Sequence, residues 1–184
     1  MILEIVKYGH PALRTKGARI AKADDKIRQL AEDMLDTMEA ANGVGLAAQQ
    51  VGVPIQLTVI DVSGIEDRPS TMTIGGRPVP VDEHMPLVLM NPELMLSKER
   101  ESGNEGCLSF PEMNAEIVRA AGVRARAQLL DGSTIEFEAT GLLARALQHE
   151  TDHLHGILFI DRMNSASKVS LAGKLKRLQK ESRA

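Results

Sequence analysis

The residues with the clearest chemical meaning are His149-Glu150-Thr151-Asp152-His153. Positions four apart on an α-helix differ by about 40° in azimuth and by one turn in height, so both imidazoles can face one metal ion. Glu150 sits one step around, where it can address water beside such an ion without being a ligand. The competing reading is a charged, solvated helix face. Two imidazoles do not complete a catalytic site, which usually has three protein ligands and an open position. In the extended two-histidine protease motif the third ligand would fall where Phe159 stands; Gly156 matches that pattern, but the ligand itself is missing. The one downstream glutamate, Glu181, lies in a basic tail and is a poor substitute.

Upstream, Glu105-Gly106-Cys107-Leu108-Ser109 offers the single thiol of the chain. A solitary cysteine is more often a small buried hydrophobe than a ligand. Against that, Gly106 permits close backbone approach, a two-histidine site lacks a donor, and a thiolate is a strong one. One cysteine excludes an internal disulfide and any Cys₄ or Cys₂His₂ site within the chain.

A third run, Gly43-Val44-Gly45-Leu46-Ala47-Ala48-Gln49-Gln50, superficially fits the dinucleotide-binding fingerprint. That fingerprint needs a strand before it and a helix opening within it, whereas here a helical pattern comes first, so nucleotide binding is set aside. The structural alternative is a helix cap at Gly43 followed by a tight bend.

These runs must be positioned by a scaffold, and its outline is legible. The chain has 184 residues, enough for about one domain, and at this size roughly 70% of the unfolded surface can be buried. Hydrophobic residues make up 43%, charged residues 26% and aromatics 2%, and the formal net charge is −3. So few aromatic rings exclude a platform for stacked single-stranded bases, and the balance of charge does not favour polyanions; no sequence-specific nucleic-acid partner is expected. No segment approaches eighteen uncharged apolar residues, so no membrane partner is expected and the chain reads as a mature cytoplasmic protein.

Asp24 to Ala41 has apolar residues at three- and four-residue spacing (Ile27, Leu30, Ala31, Met34, Leu35, Met38) and predicts an amphipathic helix. Gln56–Asp61 and Leu87–Met90 read as strands. Between them, Val62–Pro86 is broken by glycines and prolines and reads as a mobile surface excursion or an irregular hairpin. Val123–Ala139 reads as a hairpin with a three-residue loop, Leu130-Asp131-Gly132, since that register opposes Arg126 to Glu136 and Arg124 to Glu138. A helix follows from about Gly141 to His155, with Thr140 as N-cap and Gly156 as its stop. Ser165–Ala184 places Leu171, Leu175 and Leu178 at helical spacing amid Lys168, Lys174, Lys176, Arg177, Lys180 and Arg183. The expected organisation is a domain over residues 1–164 and a basic helical tail over 165–184.

The three runs, Gly43 to Gln50, Glu105 to Ser109 and Gln148 to Leu154, resemble the three signature motifs of bacterial peptide deformylases and occur in that family's order. The resemblance extends from Tyr8-Gly-His-Pro-Ala-Leu-Arg14 to the motif helix, through Asn91-Pro92-Glu93. It implies a compact α+β fold, with mixed or antiparallel sheets around a central metal-binding helix and a C-terminal helix. It also implies metal-dependent removal of the formyl group from the N-terminal formylmethionine of newly made polypeptides. Carried over, Cys107, His149 and His153 would hold the metal, Glu150 would act as general base and acid, and Gln50 with the backbone N–H of Leu108 would stabilise an oxyanion. Val44 and Leu142 would line a methionine pocket, and Gly45 would contact the peptide backbone as the peptide adds as a strand. The metal implied is ferrous iron, with zinc, nickel or cobalt able to substitute. The tail resembles a helix through which some relatives dock on the ribosome, against the plainer reading of a solvated basic helix.

Arg145 shares roughly the face of His149, so its stem could edge the pocket or its charge face solvent, and sequence assigns it no role. Arg119 is paired with Glu105 on charge and separation. His10, His84 and His155 are read as surface or supporting residues. Two rival functions stand: a zinc endopeptidase, and a non-catalytic module with a closed structural metal site.

Overall fold

The computed structural model describes residues 1–183, and Ala184, the end of the expected tail, lies outside the described residues. The helical pattern after Asp24 forms helix α1, Asp25–Ala40, whose first turn is capped by the Asp24 side chain accepting from the Ile27 N–H at 2.9 Å. Ala31, Met34 and Met38 are buried, and Ile27, Leu30 and Leu35 pack half-buried beside them.

Nine strands follow the Gly43 turn: β1 (Gly45–Ala47), β2 (Leu57–Ile60), β3 (Ser70–Ile74), β4 (Arg77–Val79), β5 (Leu87–Leu96), β6 (Arg100–Cys107), β7 (Phe110–Ala120), β8 (Gly122–Gln128) and β9 (Thr134–Thr140). Seven of them form one sheet in the order β1-β2-β5-β8-β9-β3-β4, while β6 and β7 pair apart as a two-stranded sheet. Their ladders are antiparallel, the second form of the expected mixed or antiparallel arrangement. The β8–β9 hairpin has the register that charge pairing predicts, Arg126 opposite Glu136 and Arg124 opposite Glu138. Its loop turns at Gly132, whose φ of +87° suits a residue without a β-carbon.

The Val62–Pro86 excursion is more integral than its glycines and prolines suggest. Within it β3 and β4 form a hairpin, β3 pairs with β9, and Met72 is buried in the main core. This hairpin also begins the motif helix, α2 (Gly141–Leu154). Thr140 takes the N-cap position but makes no side-chain cap bond, because its hydroxyl is bonded to that of Thr71. Instead the Leu143 N–H donates to Ser70 Oγ at 2.9 Å and the Leu142 N–H to the Pro69 carbonyl at 3.3 Å. After α2 the chain turns at Gly156, φ +74°.

Helix α2 is buried along most of its length, with Leu143 and Leu147 in the core under the large sheet. Two further apolar clusters flank it, one beneath α1 with Met34, Leu46 and Leu57, the other around Leu13, Phe110, Ile117 and Phe159. The last helix, α3 (Ser165–Arg183), lays Leu171, Leu175 and Leu178 on that second cluster and exposes its six basic residues. No described helix is long and apolar enough to cross a membrane.

Candidate active site

Cys107 ends β6 at a shift in register with β7, and His149 and His153 lie one turn apart on α2. Their donor atoms all fall within 4.8 Å of one another, with Cys107 Sγ 3.4 Å from His153 Nε2. His149 Nδ1 lies 2.8 Å from Glu105 Oε1. An ionised carboxylate only accepts, so Nδ1 carries the proton of that bond and Nε2 is left for the cluster. A thiol and two imidazoles, drawn from separate elements to within one ion's reach, fit a single transition-metal ion.

Charges around the trio are tightly arranged. Burial alone would raise the Glu105 carboxyl, but hydrogen bonds from Arg119 and His149 outweigh it and hold the group well below the usual carboxylate range. Burial likewise opposes charge on His149, and its bonds to Cys107 and Glu105 prevail, raising that imidazole. Burial pushes His153 down, and the positive charges of His149 and Arg119 push it the same way; its Nδ1 is buried without a partner.

Glu150 is 4% exposed, its Oε1 lacks a partner, and burial pushes its carboxyl up to about 7. Across from it runs β1. A β-carbon at Gly45 would meet Glu150 Oε2 at 2.5 Å, so the strand comes this near only because position 45 is glycine. Gln50 is fixed at its oxygen, which accepts from the Ala47 N–H at 3.0 Å. Its amide nitrogen therefore points the other way, donating to Ser109 Oγ at 3.2 Å and reaching Cys107 Sγ at 3.6 Å. Gly45, Gln50, Glu105, Cys107, His149 and Glu150 border one cleft of about 510 Å³.

The sequence profile of the polypeptide deformylase family matches residues 2–169. The chain belongs to that family. It is 47% identical to the peptide deformylase of Methylacidiphilum infernorum over 180 residues, covering 98% of this chain and 94% of the relative. With the peptide deformylase of Opitutus terrae it shares 42% identity over 186 residues, covering 100% and 96% of the two chains. Among solved structures, that of peptide deformylase from Ehrlichia chaffeensis superposes with a TM-score of 0.84 at 32% identity, covering all of both chains. Arabidopsis thaliana peptide deformylase 1B in complex with an inhibitor gives 0.83 at 36% identity, covering 97% of this chain and 91% of that one.

The deformylase cleft brings together the residues the sequence singles out: Cys107, His149, Glu150, Gln50, Leu108, Val44, Gly45 and Leu142 all line it, and His153 completes the cluster behind. Arg119 is paired with Glu105 as expected, at 2.8 Å. The surplus histidines lie elsewhere: His10 caps a short turn by accepting from the Ala12 N–H, and His155 is exposed. Phe159, at the position where a protease would carry its third ligand, is buried with its ring 6.0 Å from that of His149.

Arg145 and Arg68 went unassigned, and Glu105 was read only as the partner of Arg119. Arg145 is buried rather than solvent-facing. Glu105, flanking the thiol, is the hub of the ion pairs, and Arg68, from the excursion, reaches the cleft wall by donating to the Asn104 carbonyl at 3.0 Å. A signal for Arg119 and Glu105 was available: β7 alternates, with Met113, Ala115 and Ile117 inward, so Arg119 falls on the buried face and needs an anion there.

Proposed function

We propose that this chain hydrolyses the N-formyl group of the N-terminal formylmethionine of newly made polypeptides, releasing formate. Membership of the deformylase family carries the reaction class, and the observation that supports the assignment of roles is the convergence of Cys107, His149 and His153 beside a buried, unpartnered Glu150. The substrate places the enzyme where chains are synthesised, in the cytoplasm.

Cys107, His149 and His153 hold one divalent transition metal, ferrous iron in the cell, replaced by zinc, nickel or cobalt on handling. When bound, such an ion would supply Lewis acidity for the formyl carbonyl and would bring the pKa of water toward neutrality. Glu105 fixes the His149 ring and its tautomer, leaving Nε2 free to act as a ligand. Glu150, in its desolvated position, accepts the proton of the attacking water and delivers it to the departing nitrogen, since an amine cannot leave as its anion. The Gln50 amide and the Leu108 N–H donate to the oxygen that gains charge as water adds; such donors are worth about 3 kcal/mol each in other oxyanion holes.

The methionine side chain enters the apolar part of the cleft, against Val44 and Leu142. Strand β1 is the outer strand of the large sheet, so its free edge can take the peptide main chain as an added strand, with Gly45 allowing close approach. Main-chain pairing leaves downstream side chains largely unread, as an enzyme serving many nascent chains requires. The exposed basic face of α3 docks on the ribosome by attraction to RNA phosphates.

Formate release from formyl-Met-Ala-Ser, with and without chelator, tests the function. Release that the chelator abolishes and added metal restores is the expected result; cleavage of an internally quenched peptide without formate release would instead establish the endopeptidase reading.

A further inference from the structure

The derived reaction makes no use of Arg145, although its guanidinium is buried and a buried charge is costly unless fully bonded. Three of its five N–H donors are engaged. Nη1 donates to Glu105 Oε2 and to the Ile117 carbonyl, both at 2.8 Å, and Nη2 donates to the Glu101 carbonyl at 2.9 Å. One side chain of α2 is thus bonded twice to β6 and once to β7. The strand is shaped to receive it: a β-carbon at Gly103 would lie 2.9 Å from the Arg145 Cζ.

The position of this residue gives those bonds their meaning. Cys107 stands two residues beyond Glu105 on β6, and His149 one turn beyond Arg145 on α2. Among the described residues strand β6 pairs only with β7, so the ladder of the large sheet does not fix where the thiol sits relative to the imidazoles. Arg119 supports Glu105 from β7 and touches α2 at Asp152. Among the hydrogen bonds of the described residues, the one from Arg145 to Glu101 is the bond by which an α2 side chain reaches the β6 main chain.

We propose that Arg145 is a positioning residue: by fastening β6 to α2 it sets the Cys107 thiol against the His149 and His153 imidazoles. This rests on the reading that those three residues hold the metal.

Arg145→Met, Arg145→Lys and Gly103→Ala test it in the full chain, stripped of metal and reloaded with Co²⁺. The readouts are Co²⁺ affinity by chelator competition, the thiolate charge-transfer and d–d absorption bands, kcat and KM on formyl-Met-Ala-Ser, and the thermal midpoint. Arg145→Met should weaken Co²⁺ binding about 10- to 100-fold, as loss of a group supporting a metal ligand typically does, and shift the bands. It should lower kcat while KM stays within about twofold. Lysine keeps the charge but lacks the planar fork, so Arg145→Lys should fall between. Gly103→Ala, which displaces the guanidinium without removing it, should move the bands in the same direction.

Wild-type affinity and bands in folded Arg145→Met, with only the thermal midpoint lowered, would overturn the proposal. If that variant does not fold, unchanged affinity and bands in both other variants would overturn it equally. A wild-type chain that binds one Co²⁺ but releases no formate would refute the deformylase reading while the affinities and bands still decide the role of Arg145. Failure of the wild type to bind Co²⁺ at all would overturn both the metal site and this proposal.

Discussion

The Glu150 carboxylate fills the space in which a side chain at position 45 would begin, with Oε2 2.5 Å from where a β-carbon on Gly45 would stand. Glu150 and strand β1 are therefore fitted to one another across a gap that admits only hydrogen. Glu150 is enclosed and cannot yield freely. Gly45→Ala should lower kcat by about 10- to 100-fold, the loss expected when a reacting group is displaced by about 1 Å. Steady-state kinetics on a formylated tripeptide check this, and wild-type kcat would mean that the carboxylate moves aside without consequence.

The start of the motif helix depends on a residue distant in sequence. Ser70→Ala removes the acceptor of the Leu143 N–H and should cost about 1 kcal/mol, the usual value of an N-terminal cap. Urea unfolding should register that loss with kcat within about twofold of wild type, because His149 begins the second turn beyond. An unchanged midpoint would show that the Pro69 carbonyl alone suffices.

Asp161 joins the N-terminal segment to the end of the motif region, bonded to Arg14 at 2.6 Å and to the Leu158 N–H at 2.9 Å. Burial on its own would raise this carboxyl, but the Arg14 bond and the backbone N–H outweigh it and hold the group below its ordinary value. A depressed folded pKa contributes stability above the unfolded carboxylate value, near 3.9, and loses it as pH falls through the folded one. The stability gap between wild type and Asp161→Asn should thus be full at pH 7 and pH 5 and close below about pH 4. Denaturation midpoints at those pH values check it; a gap independent of pH would contradict the ionic origin.

Reversing Lys174, Arg177 and Lys180 to glutamate changes only exposed positions of α3 and spares Leu171, Leu175 and Leu178. Ribosome co-sedimentation at low salt should fall by about tenfold or more, while hydrolysis of a short formyl peptide is unchanged. Co-sedimentation equal to wild type would leave α3 as a solvated helix.

Much of this fold was legible where local pattern and final environment agree. Helix α1 has a capping aspartate and one apolar stripe, and the β8–β9 hairpin carries its register in two Arg–Glu pairs. Thr140 stands at the N-cap as expected, but its side chain does not cap, because Thr71, sixty-nine residues earlier, engages its hydroxyl. The hairpin reading of the excursion holds, since β3 and β4 pair across Gly75 and Gly76, but nothing in its glycines and prolines tells of the β9 edge on which β3 pairs.

At the site, short spacing was informative and long-range pairing was not. His149 and His153 are neighbours by helix geometry alone. Cys107 needed both the gap in the ligand set and the family resemblance to be placed beside them. Arg145 could not be placed, since α2 is buried on nearly every side and its polar residues face partners on β6 and β7 that no periodicity reveals.

The measurement that bears most directly on the account is Glu150→Gln, assayed for metal content and formate release in the same preparation. In the proposed assignment the carboxylate stands beside Cys107, His149 and His153 without being a ligand, so the variant should keep one metal ion per chain while kcat falls by about 10²- to 10⁴-fold, the usual worth of a general acid–base group. Full turnover with metal bound would contradict the assignment of the proton carrier, and loss of the metal would contradict the ligand set.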